Sequence, residues 1–200
     1  MAVCIGLTGG IASGKSTVSK TLVELGADYM DADLVGHQIY LPDKDAWRDL
    51  VAAWGEDLLM PDRTINRQKL GAIVFSDPKE LERLNRITHP RIKAELAVEI
   101  DKRKSGGDSY KPFVVEAAIL IEAKWDILFD KIWVVVAPPE IAIERLAESK
   151  NMPPNQAKAR IDAQLSNDKR IKYADVVIEN TGSLDEMRKQ VEAAWSRLQS

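Results

Sequence analysis

Hydrophobic positions along the chain follow two different spacings, which predict strands and helices in turn. Continuous apolar runs near residues 2–7, 113–116 and 132–136 are typical of strands buried in a parallel sheet. Two shorter runs, at 26–30 and 176–178, predict a second and a fifth strand. Between these runs, apolar residues recur every three or four positions, which predicts helices. Strands that alternate with helices favour an α/β fold with a five-stranded, parallel, doubly wound sheet.

Helical spacing dominates the long stretch between the second and third strands, from residue 34 to residue 105. This length exceeds what a simple crossover between two parallel strands needs. We therefore predict a helical insertion that covers a second substrate. A loop is predicted at residues 104–109, where glycine and serine cluster.

Three further helices are predicted in the second half of the chain. Helical spacing covers residues 139–150 and 154–172, and these two helices separate the last two strands. A closing helix is predicted at 184–198. Ser183 before this helix and Glu186 in its first turn have the spacing of a capping box.

A glycine-rich loop joins the first strand to the first helix. Gly9, Gly14, Lys15 and Ser16 satisfy the pattern G-x-x-x-x-G-K-[ST] in the strand–loop–helix context that this motif requires. Glycines let successive backbone N–H groups surround an anion, and the helix N-terminus adds its positive dipole. Lysine would reach the β- and γ-phosphates, and the serine hydroxyl would ligate Mg²⁺. We therefore predict a nucleoside triphosphate site that includes Gly10, Ile11, Ala12, Ser13, Gly14, Lys15, Ser16 and Thr17.

The composition narrows the classes of partner. The 200 residues are 45% hydrophobic and 30% charged, as in an ordinary globular protein, and their net charge is −3. The chain therefore lacks the excess of basic residues that is typical of proteins that bind nucleic acid or an anionic membrane. Apolar runs all fall short of the ~20 residues that span a bilayer. The single cysteine, Cys4, excludes an internal disulfide and fits a reducing compartment, so we expect a cytoplasmic protein.

Asp31 and Asp33 follow the second predicted strand directly. In a parallel α/β sheet the site lies at the carboxyl ends of the strands, which favours a catalytic role for one of these carboxylates. It would accept or orient the proton of a substrate hydroxyl near the γ-phosphate. The alternative is that either aspartate only caps the helix that starts at Leu34.

Glu116 and His89 are two further candidates. Glu116 ends an apolar strand, where P-loop proteins place a carboxylate near Mg²⁺, but an ordinary charged residue at a strand end fits equally well. Because His89 precedes Pro90, its backbone is predicted to leave the helical conformation in a tight junction. The imidazole would contact an anionic substrate or serve as a hydrogen-bonded structural group.

Basic residues are frequent on the helices predicted at 139–150 and 154–172. A phosphate-transfer site needs cations over the transferring group, and a hinged pair of helices makes a suitable lid. The alternative is a solvated charged face, and spacing alone does not select which arginines act. The basic residues are Arg145, Lys150, Lys158, Arg160, Lys169, Arg170 and Lys172.

Five segments together resemble the dephospho-CoA kinase family, and the match spans essentially the whole chain. They are residues 7–17, 31–33, 84–90, 160–164 and 174–183. Many families share the glycine-rich loop of the first segment. The D-A-D after the second strand, the T-H-P and the A-D-x-V-I-x-N ending are far more particular.

The resemblance implies ATP-dependent phosphorylation of the ribose 3′-hydroxyl of dephospho-CoA, the last step of coenzyme A synthesis, with Mg²⁺ present. It also implies a P-loop three-layer fold in three parts. The nucleotide-binding core would comprise 1–33, 106–138 and 173–200, with a helical acceptor-binding insertion at 34–105 and a helical lid at 139–172. We expect a monomer or a weak homo-oligomer that binds only small molecules.

The resemblance further implies roles for individual side chains. Asp33 would be the general base, Lys15 and Arg145 would act on the phosphates, and Ser16 and Glu116 would hold the metal. The residues placed at the acceptor substrate are Asp31, Asp33, His89 and Glu116.

Several positions depart from the pattern of the family, among them the proline and phenylalanine that the segment 116–122 lacks. Ala12 stands where glycine is commonest, a change that the loop should tolerate. Glu116 stands where the family has an aspartate, and its longer side chain changes how the carboxylate would reach Mg²⁺. Ser149 stands where a second lid arginine is usual and is followed by Lys150, which lacks the planar fork of a guanidinium.

Two other interpretations stay open. A P-loop kinase for a nucleotide or a shikimate-like acceptor would share the core and the lid and would differ only in the acceptor. A nucleotide-dependent switch is a second class, although the sequence lacks the N-K-x-D pattern that a GTPase uses for guanine.

Overall fold

The apolar runs of the chain form a five-stranded sheet in the computed structural model, which describes residues 2–106 and 111–199. The strands are β1 (Cys4–Gly9), β2 (Asp28–Asp31), β3 (Phe113–Glu116), β4 (Lys131–Val136) and β5 (Val176–Glu179). Their order in space is β2-β3-β1-β4-β5, and neighbouring strands pair in parallel throughout this sheet. The structure therefore confirms the predicted parallel α/β sheet.

Helices connect the strands and fill the stretch between β2 and β3. They are α1 (Lys15–Glu24), α2 (Ala32–Gln38), α3 (Asp45–Trp54), α4 (Arg67–Ser76), α5 (Pro78–Ser105), α6 (Pro139–Lys150), α7 (Pro154–Asp162), α8 (Asn167–Ile171) and α9 (Leu184–Gln199). The loop predicted at 104–109 begins two residues too early, because α5 includes Lys104 and Ser105. Residues 107–109 of that predicted loop lie outside the described residues.

The chain divides into two compact units. The first comprises residues 1–31 and 100–200 and contains the whole sheet, and the second comprises residues 32–99. Within the described residues, no helix is both long enough and apolar enough to cross a membrane.

The core of the first unit forms between the sheet and two helices. Inward side chains of β1 and β4 pack with apolar residues of α1 and α9. Burial of each large aliphatic or aromatic side chain contributes about 1.5–3 kcal/mol. This packing fixes the start of α1 at the end of β1. The fully buried members of the cluster include Ile5, Leu7, Val18, Leu22, Trp133, Val135 and Val191.

The second unit has its own apolar cluster. Leu50 of α3 and Leu70 and Val74 of α4 are buried with Leu58 and Ile65 of the connection between these helices. The side chain of Asn66 caps α4 by accepting a hydrogen bond from Lys69 N at 3.0 Å. The stretch in which helical spacing dominates thus contains a non-helical segment at 59–66.

Two predictions about helix continuity are wrong. His89 and Pro90 lie inside α5 and do not form a tight junction. The helix predicted at 154–172 is broken at 163–166, where α7 ends and Ser166 takes an extended conformation before α8. Asn167 Nδ2 donates to Ala137 O at 2.9 Å at the start of α8, and Asp168 places a negative charge in its first turn, which the helix dipole favours.

The capping box of the closing helix is confirmed. Glu186 N donates to Ser183 Oγ at 3.2 Å, and Ser183 N donates to Glu186 Oε2 at 2.8 Å. Two backbone donors that the helix leaves unpaired are satisfied in this way.

Candidate active site

The glycine-rich loop lies between the end of β1 at Gly9 and the start of α1 at Lys15. Lys15 Nζ donates to the carbonyl oxygens of Gly9 and Gly10 at 3.1 and 3.0 Å. The ammonium group therefore lies against the loop, at the N-terminus of a ten-residue helix whose dipole also favours an anion. This is the arrangement that binds phosphate groups.

Two loop residues adopt left-handed backbone conformations. Gly14 has a φ of 100°, and a Cβ at this position would lie 2.2 Å from Asn180 Nδ2. Ala12 has a φ of 57°, in the left-handed region where a Cβ is strained, so glycine would fit this position with less strain. The loop conformation thus requires glycine at one of these positions and accepts alanine at the other.

Seven of the predicted site residues line one cavity of about 490 Å³. Lys15 and Ser16 reach it from the loop and α1, Glu116 from the end of β3, and Arg145 from α6. Two cations, a hydroxyl and a carboxylate therefore surround a common space. The remaining lining residues are Ala12, Ser13, Gly14, Glu148 and Ser149.

The carboxyl ends of β2 and β3 place two carboxylates side by side. Asp31 and Glu116 are register partners at the ends of these strands. The hydroxyl of Tyr29 donates to Glu116 Oε2 at 3.0 Å. Burial and the nearby Glu116 carboxylate raise the pKa of Tyr29, so the phenol stays protonated and orients Glu116.

Arg145 extends from α6 to the glycine-rich loop. Its Nη1 donates to Ala12 O at 3.3 Å, and its Nη2 donates to Asn180 Oδ1 at 2.9 Å. Ser149, one turn later, donates its hydroxyl to Arg145 O at 2.6 Å and lines the same cavity. Of the basic residues predicted for the lid, Arg145 is thus one whose charge lies beside the loop.

Arg170 is a second basic residue from this stretch that lies near the loop. Its side chain is 2% exposed and donates to Glu122 Oε1 at 3.0 Å and to Leu165 O. A Cβ on Gly10 would lie 3.4 Å from its Nη1, so this guanidinium also approaches the loop. By contrast, Lys158 forms an exposed pair with Asp162 on the surface of α7, which matches the alternative of a solvated face.

Gln164 connects the break between α7 and α8 to the glycine-rich loop. Its Oε1 accepts a hydrogen bond from Ile11 N at 2.8 Å. A second cavity, of about 420 Å³, lies here and is lined by Gly10, Ile11, Gln164 and Arg170 among others. The segment at 163–166 is non-helical where this amide contacts the loop.

Asp33 and His89 belong to the second compact unit. Asp33 lies in the first turn of α2, two residues after the end of β2, so it does not share an extended segment with Asp31. His89 lies within α5, where burial lowers its pKa and favours the neutral imidazole.

Three residues of the site were missed as candidates from the sequence. Tyr29 orients Glu116, Asn180 contacts Arg145, and Gln164 contacts Ile11. The position of Asn180 directly after β5, at the carboxyl edge of the sheet, was a usable signal. Gln164 ends the family-like segment at 160–164, but neither Gln164 nor Tyr29 carried a signal for its contact, because the partners are far away in the chain.

Comparison with known proteins shows which family the chain resembles. The family model described as dephospho-CoA kinase matches residues 3–186. Dephospho-CoA kinase of Geobacter metallireducens is 45% identical over 195 residues, which cover 96% of this chain and 94% of that protein. The Symbiobacterium thermophilum enzyme of the same name is 43% identical over 192 residues, covering 96% and 79%.

A solved structure extends the comparison to three dimensions. Dephospho-CoA kinase from Campylobacter jejuni superposes with a TM-score of 0.75 at 27% identity, covering 99% of this chain and 98% of that one. The match confirms the predicted P-loop three-layer α/β fold. The chain belongs to the dephospho-CoA kinase family.

Proposed function

We propose that this chain transfers the γ-phosphoryl group of ATP to the ribose 3′-hydroxyl of dephospho-CoA and releases CoA and ADP. The observation that carries the proposal is the cavity in which Lys15, Ser16, Glu116 and Arg145 meet at the glycine-rich loop. Membership of the dephospho-CoA kinase family supports the choice of acceptor.

The glycine-rich loop would bind the triphosphate. Backbone N–H groups of the loop would surround the β-phosphate, except that of Ile11, which donates to Gln164 Oε1. Lys15 would move from its contacts with Gly9 and Gly10 to the phosphate oxygens. Arg145 adds a second cation at the same cavity. Charge on the transferring phosphoryl group is thereby stabilised, which is the main contribution of a protein to this reaction.

Mg²⁺ fits the donor set of the cavity. Ser16 supplies a hydroxyl and Glu116 a carboxylate, both hard oxygen ligands, and both line the cavity. The described residues contain no cluster of three or more His, Cys, Asp or Glu that would hold a metal by themselves. Mg²⁺ commonly relies on one or two protein ligands together with substrate phosphates, so this sparse set suits it. When bound, the ion would neutralise charge that develops on the phosphates.

Asp33 would act as the general base. Its carboxylate accepts the proton of the 3′-hydroxyl as the O3′–Pγ bond forms and the bond from Pγ to the bridging oxygen breaks, so that ADP leaves. The location supports this role, since Asp33 follows the carboxyl end of β2 by two residues. Asp31, His89 and Glu116 are proposed to contact the acceptor.

The same proposal gives a role to each of two helical segments. We propose that the helices between residues 34 and 105 bind the acceptor and that residues 139–172 act as a lid over ATP. The two units of the structure support a separate acceptor-binding part. A cytoplasmic monomer or weak homo-oligomer is proposed, as expected for an enzyme whose substrates are small and free in solution.

Substitution of Asp33 tests the proposed reaction. In Asp33→Asn we expect the affinity for MgATP to stay within twofold of native, while kcat falls by about 10²–10⁴-fold, because only the proton acceptor is lost. Binding is measured by calorimetry and turnover by ADP release with dephospho-CoA.

Asp45→Asn is the matched control for this test. Asp45 also lies in the first turn of a helix of the second unit, and it forms an exposed pair with Arg48. Its variant should keep native turnover. A near-native kcat in Asp33→Asn would refute Asp33 as the base.

A further inference from the structure

Asn180 is a buried polar residue at the junction of three elements of the first unit. It follows β5 directly, and the residue is only 4% exposed. Its backbone N donates to Val136 O at 2.8 Å, which ties it to the end of β4. The residue therefore has a fixed backbone from which its amide projects toward the glycine-rich loop.

Both ends of the Asn180 amide are hydrogen-bonded. Nδ2 donates to Ser13 O of the loop at 2.8 Å, and Oδ1 accepts from Arg145 Nη2 at 2.9 Å. An asparagine side chain has one acceptor and one donor group, and here each has a different partner. The amide thus links the backbone of the loop to the guanidinium of α6.

The space around the amide allows little movement. A Cβ on Gly14 would lie 2.2 Å from Asn180 Nδ2, so the absence of a side chain at Gly14 makes room for this group. The glycine accordingly has a second role, besides its left-handed backbone conformation.

The contacts of Arg145 show what Asn180 contributes. Its guanidinium contacts Asn180 Oδ1 at 2.9 Å, whereas its contacts with Ala12 O and Asn180 O are longer, at 3.3 and 3.5 Å. Hydrogen bonds weaken steeply at such longer distances. The amide oxygen therefore makes the strongest of these three contacts with an arginine side chain that has many rotamers to lose.

We propose that Asn180 is a positioning residue for nucleotide binding, which holds the Arg145 guanidinium against the glycine-rich loop. The proposal rests on the proposed role of Arg145 at the ATP phosphates. Asn180 itself acts through Arg145. Without the amide, the guanidinium would retain only two long carbonyl contacts and would spend less time over the loop.

A double-mutant cycle between Asn180 and Arg145 tests this proposal. We expect Asn180→Ala and Arg145→Ala each to weaken MgATP binding about tenfold or more, and the double variant to be no weaker than Arg145→Ala alone. The KM for dephospho-CoA should stay within twofold in Asn180→Ala. Equal losses from Asn180→Ala in both backgrounds would overturn the proposal, because the residue would then act without Arg145.

Gln190→Ala serves as the matched control. The Gln190 side-chain amide also binds the end of β5, since it donates to Glu179 O at 2.8 Å and accepts from Glu179 N at 2.9 Å. The Gln190→Ala variant should keep its nucleotide affinity within twofold of native. A tenfold loss in this control would contradict the specific role of Asn180.

A binding measurement tests the role of Asn180 independently of the proposed phosphoryl transfer. MgATP affinity is measured by calorimetry without an acceptor, so it reports on Asn180 and Arg145 even if dephospho-CoA proves not to be the substrate. Folding is checked by circular dichroism. If Asn180→Ala does not fold, Asn180→Ser, which retains a polar group, takes its place in the cycle. Loss of the folded state in both variants would overturn the proposal, because the main role would then be structural.

Discussion

Ala12 of the glycine-rich loop combines a strained backbone conformation with a contact to Arg145. Its φ of 57° lies in the left-handed region, where a Cβ costs roughly 1–2 kcal/mol. Its carbonyl accepts from Arg145 Nη1, a contact that does not depend on the side chain. The strain is therefore a property of the side chain and can be removed without loss of that contact.

Replacement of Ala12 by glycine should stabilise the protein. We expect Ala12→Gly to raise the free energy of unfolding by about 0.5–1 kcal/mol, because relief of strain exceeds the entropy that glycine adds to the unfolded chain. Urea denaturation measures the change.

A second alanine gives the control for this prediction. Ala52 is exposed within α3, so Ala52→Gly should lower the free energy of unfolding by about 1 kcal/mol. The same chemical change would then have opposite signs at the two sites. A loss of stability in Ala12→Gly equal to that in Ala52→Gly would contradict the account.

Residue roles could be predicted from sequence only where the motif is local. The glycine-rich loop is contiguous, so Lys15 and Ser16 could be assigned from spacing together with the flanking strand and helix. The partners Tyr29 and Glu116 are 87 residues apart, and Gln164 and Ile11 are 153 residues apart. Contacts of that kind arise from strand order and packing, which hydrophobic periodicity does not specify.

The helix α5 contains Pro90 in its interior and yet remains continuous. Proline removes one backbone donor and presses its ring against the preceding turn. The carbonyl that loses its helical donor is that of Arg86. Buried Ile92, Leu96 and Ile100 continue the apolar face of α5 beyond the proline, so the packing outweighs one missing hydrogen bond, and the prediction of a helix boundary at His89 is wrong.

Removal of this proline should stabilise the second unit. The ring of Pro90 is exposed, so Pro90→Ala leaves no cavity and restores a backbone donor. We expect the free energy of unfolding to rise by about 1–2 kcal/mol, measured by urea denaturation.

Pro78, at the first position of the same helix, provides the comparison. Asp77 Oδ1 accepts from Lys79 N at 2.9 Å and caps the helix at this point. Proline is favourable at a first helical position, so Pro78→Ala should leave stability unchanged or lower it by less than about 1 kcal/mol. A Pro90→Ala protein less stable than native would show that the proline is needed for the helix geometry.

Strands were more predictable than helix boundaries at the scale of elements. Apolar runs located all five strands to within about two residues, because a buried parallel strand is apolar at nearly every position. The break at 163–166 was missed because charged and polar residues continue through it with helical spacing. Ser166 is extended there and makes no side-chain cap, so the sequence marks the start of α8 only weakly.

The whole molecule combines a parallel sheet with a separate helical unit. Strand order places the ends of β1, β2 and β3 beside one another, which explains why the loop, Asp31 and Glu116 occupy one edge of the sheet. Alternation of strands and helices predicted this class of fold, but the order in space had to come from the structure. The resemblance of short segments to one family supplied the choice of acceptor, which no residue spacing could give.

Acceptor specificity tests the central claim most directly. ADP release from MgATP is measured with dephospho-CoA, AMP, CMP or shikimate, and without acceptor. We predict strong stimulation by dephospho-CoA alone, with the new phosphate on the ribose 3′-oxygen of the product. Stimulation by another acceptor instead would keep the kinase and overturn the substrate, and no stimulation by any of them would contradict the account.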